Sequence, residues 1–351
     1  MQYNTQTNDM EDITMTKELT IAVVGATGAV GQEILKVMEE RKIPYKELRL
    51  LASARSAGTE IEYQGKTYVV QETTENSFDD VDLALFAGGP ASRAYGRLAQ
   101  SKGCVVIDNS STFRLEPDVP LVVPEVNPEA LKDHKGLIAN PNCSTILLVS
   151  ALYPLYKKSK VKRVIVSTYQ AVSGAGKEAI DELTLQVKQT LNGEEIKPEI
   201  FQHQIAFNLI PHIDVWMDDD YTKEEMKLVY ETHKILNDDS ISITPTAVRV
   251  PVYRSHSESV YVETEETITP EEARELLAAA PGIIIQDDPH NNVYPMPLFT
   301  SDTDEVYVGR IRRDLGCDTA LNMWITFDQI RKGAATNAVQ IAEVLIRDGL
   351  L

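Results

Sequence analysis

A chain of 351 residues, 43% hydrophobic and 25% charged, is a globular protein with enough apolar material for two cores. The net charge of −19 argues against a nucleic-acid surface, and no run of about 18 apolar residues is present to cross a membrane. The three cysteines, at 104, 143 and 317, are odd in number and widely spaced; they fit free thiols in a reducing cytoplasm better than a disulfide framework.

The polar start "MQYNTQTNDMEDIT" lacks the basic and apolar regions of a secretory signal, so residues 1–17 are expected to be a disordered extension, with Met15 an alternative start. Next, "TIAVV" reads as a buried strand, "GATGAVG" as a turn, and Val30, Ile34, Val37 and Met38 follow helical spacing. "ELRLLAS" is a short strand, Gln64-Gly65 centres a hairpin, "VDLALFAGG" and "CVVIDNSS" are strands, and "SRAYGRLAQSKG" between them is a helix. Strands alternating with helices imply a Rossmann-type, doubly wound parallel sheet.

Beyond residue 143 the texture changes. "KRVIVSTYQAVSG", "SISITPTAVRVPV" and "HSESVYVETEE" are longer, alternating strands, separated by helices such as "GKEAIDELTLQVKQTLNG" and "TKEEMKLVYETHKILND". They predict an α+β domain on a mixed sheet, so the fold class is α/β with a second, mixed-sheet domain. The expected division is 18–142 for a dinucleotide-binding domain, completed by a helix over 331–351, and 143–330 for the second domain.

Gly25, Gly28 and Gly31 stand at a strand-to-helix turn, where backbone N–H groups of Thr27, Gly28, Ala29, Val30 and their neighbours can hold a pyrophosphate at the helix N-terminus. Tight strand-to-helix packing is the plainer use of the same glycines. After the second strand comes Ser53-Ala54-Arg55-Ser56, with no carboxylate until Glu60. A guanidinium flanked by two hydroxyls suits a 2′-phosphate, which predicts NADP.

In "NPNCST", Asn142 or Ser144 can cap a following helix and leave Cys143 at its positive end, where a thiolate is stabilised. Beside a nicotinamide, a cysteine can form a thiohemiacetal and a thioester. Cys104, inside "CVVI", reads as core. Among the six histidines, His256 stands seven residues after Arg249 in "VRVPVYRSHS"; on spacing alone a surface histidine in a polar hairpin is an equal reading. No metal-ligand pattern emerges.

Together "GATGAVG", "DNSSTFR", "NPNCST", "TYQAVSGAGK", "VRVPVYRSHS" and "RKGAATNAVQ" resemble the bacterial type of aspartate-semialdehyde dehydrogenase, from about Leu19 to the C-terminus. The resemblance implies an NADP-binding domain and a catalytic and dimerisation domain. It implies reduction of L-aspartyl 4-phosphate to aspartate semialdehyde on the way to lysine, methionine and threonine. Carried over, Cys143 is the nucleophile and His256 the general acid/base, with Gln170 orienting the substrate near the sulfur, beside Asn142. Arg249 would clamp the α-carboxylate, Arg114 and Lys227 the phosphate, and Glu224 would face the amino group. Ser173, Gly174 and Asn337 would touch the nicotinamide half of NADP. Glu231 and Lys234 offer a pair similar to Glu224 and Lys227; the plain reading of both is a solvated helix face, and the motif favours the earlier pair.

The family also implies a homodimer or homotetramer. Four cations, Arg55, Arg114, Lys227 and Arg249, would focus positive charge inside an acidic shell. The rivals are N-acetyl-glutamyl-phosphate reductase, whose nucleophile usually follows Pro-Gly rather than Asn-Pro-Asn, and a non-catalytic NADP-binding redox sensor that switches at Cys143.

Overall fold

The structure, a computed structural model, describes residues 19–351; the extension expected over 1–17 lies outside the described residues. Strand β1 (Thr20–Val24) is buried along its whole length, because both faces of its sheet are covered. It leads into helix α1 (Ala29–Glu40), which buries Ile34, Val37 and Met38. There follow β2 (Glu47–Ala52), the hairpin β3 (Glu60–Tyr63) and β4 (Lys66–Val69), and the edge strand β5 (Gln71–Glu72). Gln64 and Gly65 turn the hairpin with φ of 51° and 71°, as a two-residue turn with both φ positive requires. Strand β6 (Leu83–Phe86), helix α2 (Gly89–Ser101), β7 (Val105–Asp108) and β8 (Leu137–Ala139) complete the sheet. Its order is β5-β2-β1-β6-β7-β8, all parallel, with the sequence of strand addition turning back at β1. That order creates a crevice at the carboxyl end of β1, where a dinucleotide fits.

Helix α3 (Cys143–Lys158) opens the second half and is buried over most of its length. After it come β9 (Val161–Gln170), α4 (Lys177–Asn192), α5 (Lys223–Leu236), β10 (Ser242–Arg249) and β11 (His256–Thr264). Helix α6 (Pro270–Ala278), β12 (Ile283–Ile285), the short α7 (Pro297–Thr300), β13 (Val306–Arg313) and β14 (Ala320–Phe327) follow. The mixed sheet runs β10-β9-β11-β14-β13-β12. The expected α/β class with a mixed second sheet is therefore what forms, but β5, β8 and β12 to β14 escaped the sequence reading. "VYVGRIRR" carries three arginines, and its pairing with β14 shifts register between Gly309 and Arg312.

A π-helical turn over Arg331–Ala335 runs into helix α8 (Thr336–Arg347). Ala338, Val339, Ile341, Ala342 and Leu345 join the core formed by α1 and β1, so the last helix returns to the first sheet. Charges fasten the return. Arg331 reaches Glu33 and Glu40 of α1 and also Asp304, and Arg254 reaches Glu33 and Asp328.

Candidate active site

The glycine turn has physical reasons for its glycines. Gly25 sits at φ +87°, and a Cβ on Gly31 would lie 2.2 Å from the Gly25 carbonyl oxygen. Thr27, Gly28 and Ala29 are exposed, and the first-turn N–H groups of α1 lack intrahelical acceptors. The turn thus meets both readings, close packing and an anion cradle. Ser53 and Arg55 are exposed just past the end of β2 and Ser56 is half-buried beside them; strand pairing also brings Glu72 level with Ala52.

The second constellation forms where the carboxyl ends of β9 and β10 meet the amino ends of β11, α3 and α5. Gln170 and Arg249 are register partners across β9 and β10. Asn142 caps α3: its side-chain oxygen accepts from the N–H of Ser144 at 3.0 Å and of Thr145 at 3.4 Å. Cys143 is thereby the first helical residue, half-buried. Helix α5, started by a Thr222–Glu225 capping box, lays Glu224, Lys227 and Glu231 along one face toward this turn. Glu231 accepts from the Asn142 N–H at 2.6 Å and pairs with Arg114 at 3.1 Å. Glu224 accepts from Asn142 Nδ2 at 3.1 Å, Gln170 Nε2 at 3.0 Å and Lys227 Nζ at 2.8 Å. Lys227 also holds Asp214 at 2.9 Å.

These side chains enclose a cavity of about 360 Å³, with Cys143, His256, Gln170, Arg249 and Gly174 in its wall. A larger cleft of about 740 Å³ between α3 and α6 contains no comparable set of nucleophile, histidine and cations. Arg249 donates to the Ala171 carbonyl at 2.7 Å and, among the described residues, forms no ion pair. It is the cation of the cavity left available for a carboxylate.

Electrostatics correct one expectation. Burial, and then the negative Glu224, push the Cys143 thiol up to about 12, against the pull of Arg114, Lys227 and the Ser144 N–H. The helix terminus does not by itself make a thiolate; desolvation and one carboxylate outweigh it. Burial, followed by the Arg249 charge, brings His256 down to about 3, so the ring is neutral. Burial also works against ionisation of Glu224, yet Lys227, Gln170 and Asn142 bring it down to about 2. Burial lowers Arg249, with Glu224 partly opposing.

Neither helix pair is a solvated face. Lys234 spends its ammonium on the carbonyls of Arg114, Glu116 and Val119, so Glu224 and Lys227 are the pair that lines the cavity. Arg114 lines it too, but donates to Glu231 and to the carbonyls of Asn140 and Asn109. Ser173 accepts from Gln329 at 2.5 Å. Asn337 departs furthest from its implied role. It is fully buried, and its amide is committed to Val122 O, Asn140 and Lys332, a joint between α8 and the loop before Cys143. Lys332 anchors the same joint through Glu125 at 2.6 Å. Cys104 is core, and burial raises its thiol to about 12.

Three contributors went unread in the sequence. Asp214 and Ser111 line the cavity from loops without a periodic signal. Gly333 packs so closely that a Cβ there would lie 2.9 Å from Cys143 Cβ and from the Phe327 ring. The glycine inside "RKGAA" was the available signal.

A dinucleotide crevice in one sheet and, at the edge of the other, a cavity lined by a cysteine, a histidine and cations define a cysteine-dependent dehydrogenase. Residues 20–134 match the semialdehyde dehydrogenase NAD binding domain, and residues 152–332 the semialdehyde dehydrogenase dimerisation domain. An aspartate-semialdehyde dehydrogenase of Aquifex aeolicus is 56% identical over 336 residues, 94% of this chain and 99% of that protein. Aspartate semialdehyde dehydrogenase II of Vibrio cholerae, solved in complex with ASA, is 47% identical at a TM-score of 0.92, over 95% of this chain and 99% of that one. The Candida albicans enzyme, solved with NADP, is 25% identical at a TM-score of 0.73, over 95% of this chain and 100% of that one. The chain belongs to the aspartate-semialdehyde dehydrogenase family.

Proposed function

We propose that the protein reduces L-aspartyl 4-phosphate to L-aspartate 4-semialdehyde through a thioester on Cys143, with NADPH as reductant, in the biosynthesis of lysine, methionine and threonine. The observation that carries the reading is the cavity that gathers Cys143, His256, Glu224, Lys227 and Arg249. Arg249, free of carboxylates, takes the substrate α-carboxylate, and Glu224 takes the ammonium. Lys227 and Arg114 exchange their present carboxylate partners for the phosphate as it leaves. Gln170 and Asn142, both bonded to Glu224, hold the acyl group over the sulfur.

The exposed turn over Thr27–Val30, with Arg55, Ser53 and Ser56 beyond β2, fits NADP, whose reduced form supplies hydride; Gly174 and Ser173 belong to its nicotinamide end, and Asn337 acts on that end only through the buried joint it makes with Asn140. The working division is 18–142 with 331–351 for the cofactor and 143–330 for catalysis and dimerisation. The outward face of the mixed sheet, with the Tyr169 and Trp324 rings tilted against each other at 5.2 Å and Ile165 exposed, is the face of a homodimer, which can pair again as a homotetramer. The cytoplasm is the compartment that suits its free thiols.

One assay tests the reading: phosphate-dependent reduction of NADP with L-aspartate semialdehyde. Turnover that needs phosphate and disappears in Cys143→Ser supports it. Preference for N-acetyl-glutamate semialdehyde would move the protein to the related reductase, and NADP binding without turnover would make it a sensor.

A further inference from the structure

The cations of the cavity differ in what already holds them. Arg249, placed for a carboxylate that stays on the substrate, donates to a backbone carbonyl and forms no ion pair among the described residues. Lys227 and Arg114, placed for the phosphate that has to leave, both hold carboxylates. Lys227 donates to Glu224 at 2.8 Å and to Asp214 at 2.9 Å, and Arg114 to Glu231 at 3.1 Å. The side chains of Glu224 and Glu231 are only 8% and 2% exposed, and each accepts further bonds from Asn142 or Gln170. Asp214 is different. Its side chain is 30% exposed, it stands on the loop between α4 and α5, and it lines the cavity beside Lys227.

Local geometry makes Asp214 the partner that yields. Its Oδ2 takes the Lys227 ammonium, while its Oδ1 accepts the N–H of Val215 at 2.9 Å. The residue sits at φ +69°, a left-handed conformation that aspartate tolerates because its short carboxylate bonds the backbone locally. The Lys223 N–H donates to the Val215 carbonyl at 2.8 Å, so a turn fixed to the start of α5 presents the carboxylate to Lys227. Swinging that carboxylate into water costs little, because the pair is partly exposed. Displacing Glu224 would instead leave a buried charge without its partner. A phosphate oxygen arriving at the ammonium therefore replaces Asp214, and Glu224 stays.

We propose that Asp214 is a built-in competitor of phosphate for Lys227, which weakens the hold of the cavity on inorganic phosphate and returns to the ammonium as phosphate departs. The inference rests on the reaction proposed above. There the cavity has to release hydrogen phosphate while the acyl group remains on Cys143. An ammonium without a rival would retain the anion through charge-assisted hydrogen bonds. A carboxylate tethered beside it supplies the replacement at high effective concentration. Asp214 acts through Lys227 and is a positioning residue. Arg249, whose carboxylate must not leave during the reaction, has no such rival.

Inorganic phosphate is the probe. Its affinity is read without turnover by calorimetric titration at fixed ionic strength, and with turnover as its KM in the phosphate-dependent reduction of NADP. Asp214→Asn keeps the left-handed turn and an acceptor for Val215 but removes the charge; Asp214→Gly also suits φ +69° and brings no donor. Both should bind phosphate about fivefold more tightly, the scale of a partly exposed ion pair taken out of the competition, with KM for aspartate semialdehyde little changed. Phosphate should then inhibit the reducing direction at a correspondingly lower concentration. Unchanged or weaker binding, in variants that melt with the wild type, would overturn the proposal, since loss of a residue that merely orients Lys227 costs affinity. Tighter binding in Asn but not in Gly would overturn it as well, because the new amide and not the lost charge would be the cause. Failure of the reaction itself would appear as absent turnover in the wild type, and the calorimetric comparison would still decide the role of Asp214.

Discussion

Glu224 stands between two jobs, and neutralising it separates them. In Glu224→Gln the side-chain oxygen can still accept from Asn142 and Gln170, while Lys227 keeps Asp214 as a partner. The negative charge that helps push the Cys143 thiol up to about 12 is gone. Two unit charges about 6 Å apart at an effective dielectric of about 20 interact by roughly 3 kcal/mol, or about two pKa units. At pH 8 the thiolate fraction should therefore rise about 100-fold. A less basic sulfur is also less nucleophilic, by close to tenfold over two units, which leaves alkylation by iodoacetamide about tenfold faster. The same variant should lose most of its kcat/KM for aspartate semialdehyde, because the ammonium has lost its counter-charge. Lys227→Met should shift alkylation the opposite way. Slower or unchanged labelling in Glu224→Gln, with label mapped to Cys143 by mass spectrometry, would refute the electrostatic account of the thiol.

Arg249→Lys keeps the charge but loses the planar fork, so KM for aspartate semialdehyde should rise about tenfold with kcat little changed; a fall in kcat alone would assign Arg249 to chemistry. Arg55→Ala should raise KM for NADP by about tenfold or more and leave NAD unaffected, and equal losses would remove Arg55 from the 2′-phosphate. His256 and Glu224 both have folded-state values below their ordinary ones, at about 3 and about 2. Each binds its proton in the unfolded chain first, so their stabilisation is complete above the ordinary values of 6.5 and 4.5 and drains away toward pH 3 and pH 2 respectively. The combined loss is on the order of 5 kcal/mol or more, and urea midpoints of His256→Gln should fall less steeply with acid than those of wild type. Glu258 runs the other way: its carboxyl is raised by burial, so its folded form is favoured below the ordinary carboxylate value and penalised as pH rises. Glu258→Gln should raise the melting temperature at pH 8, and a lower one would reveal a partner for that carboxyl.

Four strands of the parallel sheet, β1, β2, β6 and β7, were readable because each is a short apolar run, and the turn after β1 carries glycines with a steric duty, Gly25 and Gly31; the edge strand β5, two exposed polar residues, and the three-residue β8 carry no such signal. Cys143 at a capped helix start was equally visible, since Asn142 can cap locally within three residues. What the sequence concealed depends on contacts across long separations. The choice between Glu224–Lys227 and Glu231–Lys234 turns on how α5 is rotated against the 140–145 turn, and both carboxylates prove to be used, one at the cavity and one on Arg114. Asn337 carries a family role in its motif but spends its amide on Asn140 and Val122, which no local pattern could indicate. The thiol's raised affinity for its proton also depends on the tertiary fold, since helix-terminus reasoning sees one dipole and neither the burial nor Glu224.

Gly333 bears on how this chain can vary. It belongs to the turn that delivers α8, far along the chain from Cys143, yet the smallest possible side chain there would point at the carbon that carries the nucleophile's sulfur. An alanine would reach neither substrate nor cofactor. It would move the sulfur, and a displacement near 1 Å is enough to spoil an attack geometry. Inherited changes at this position would therefore present as catalytic defects in a protein that still folds, binds and assembles. The turn that precedes α8 is held to the chemistry of a residue it meets only after folding.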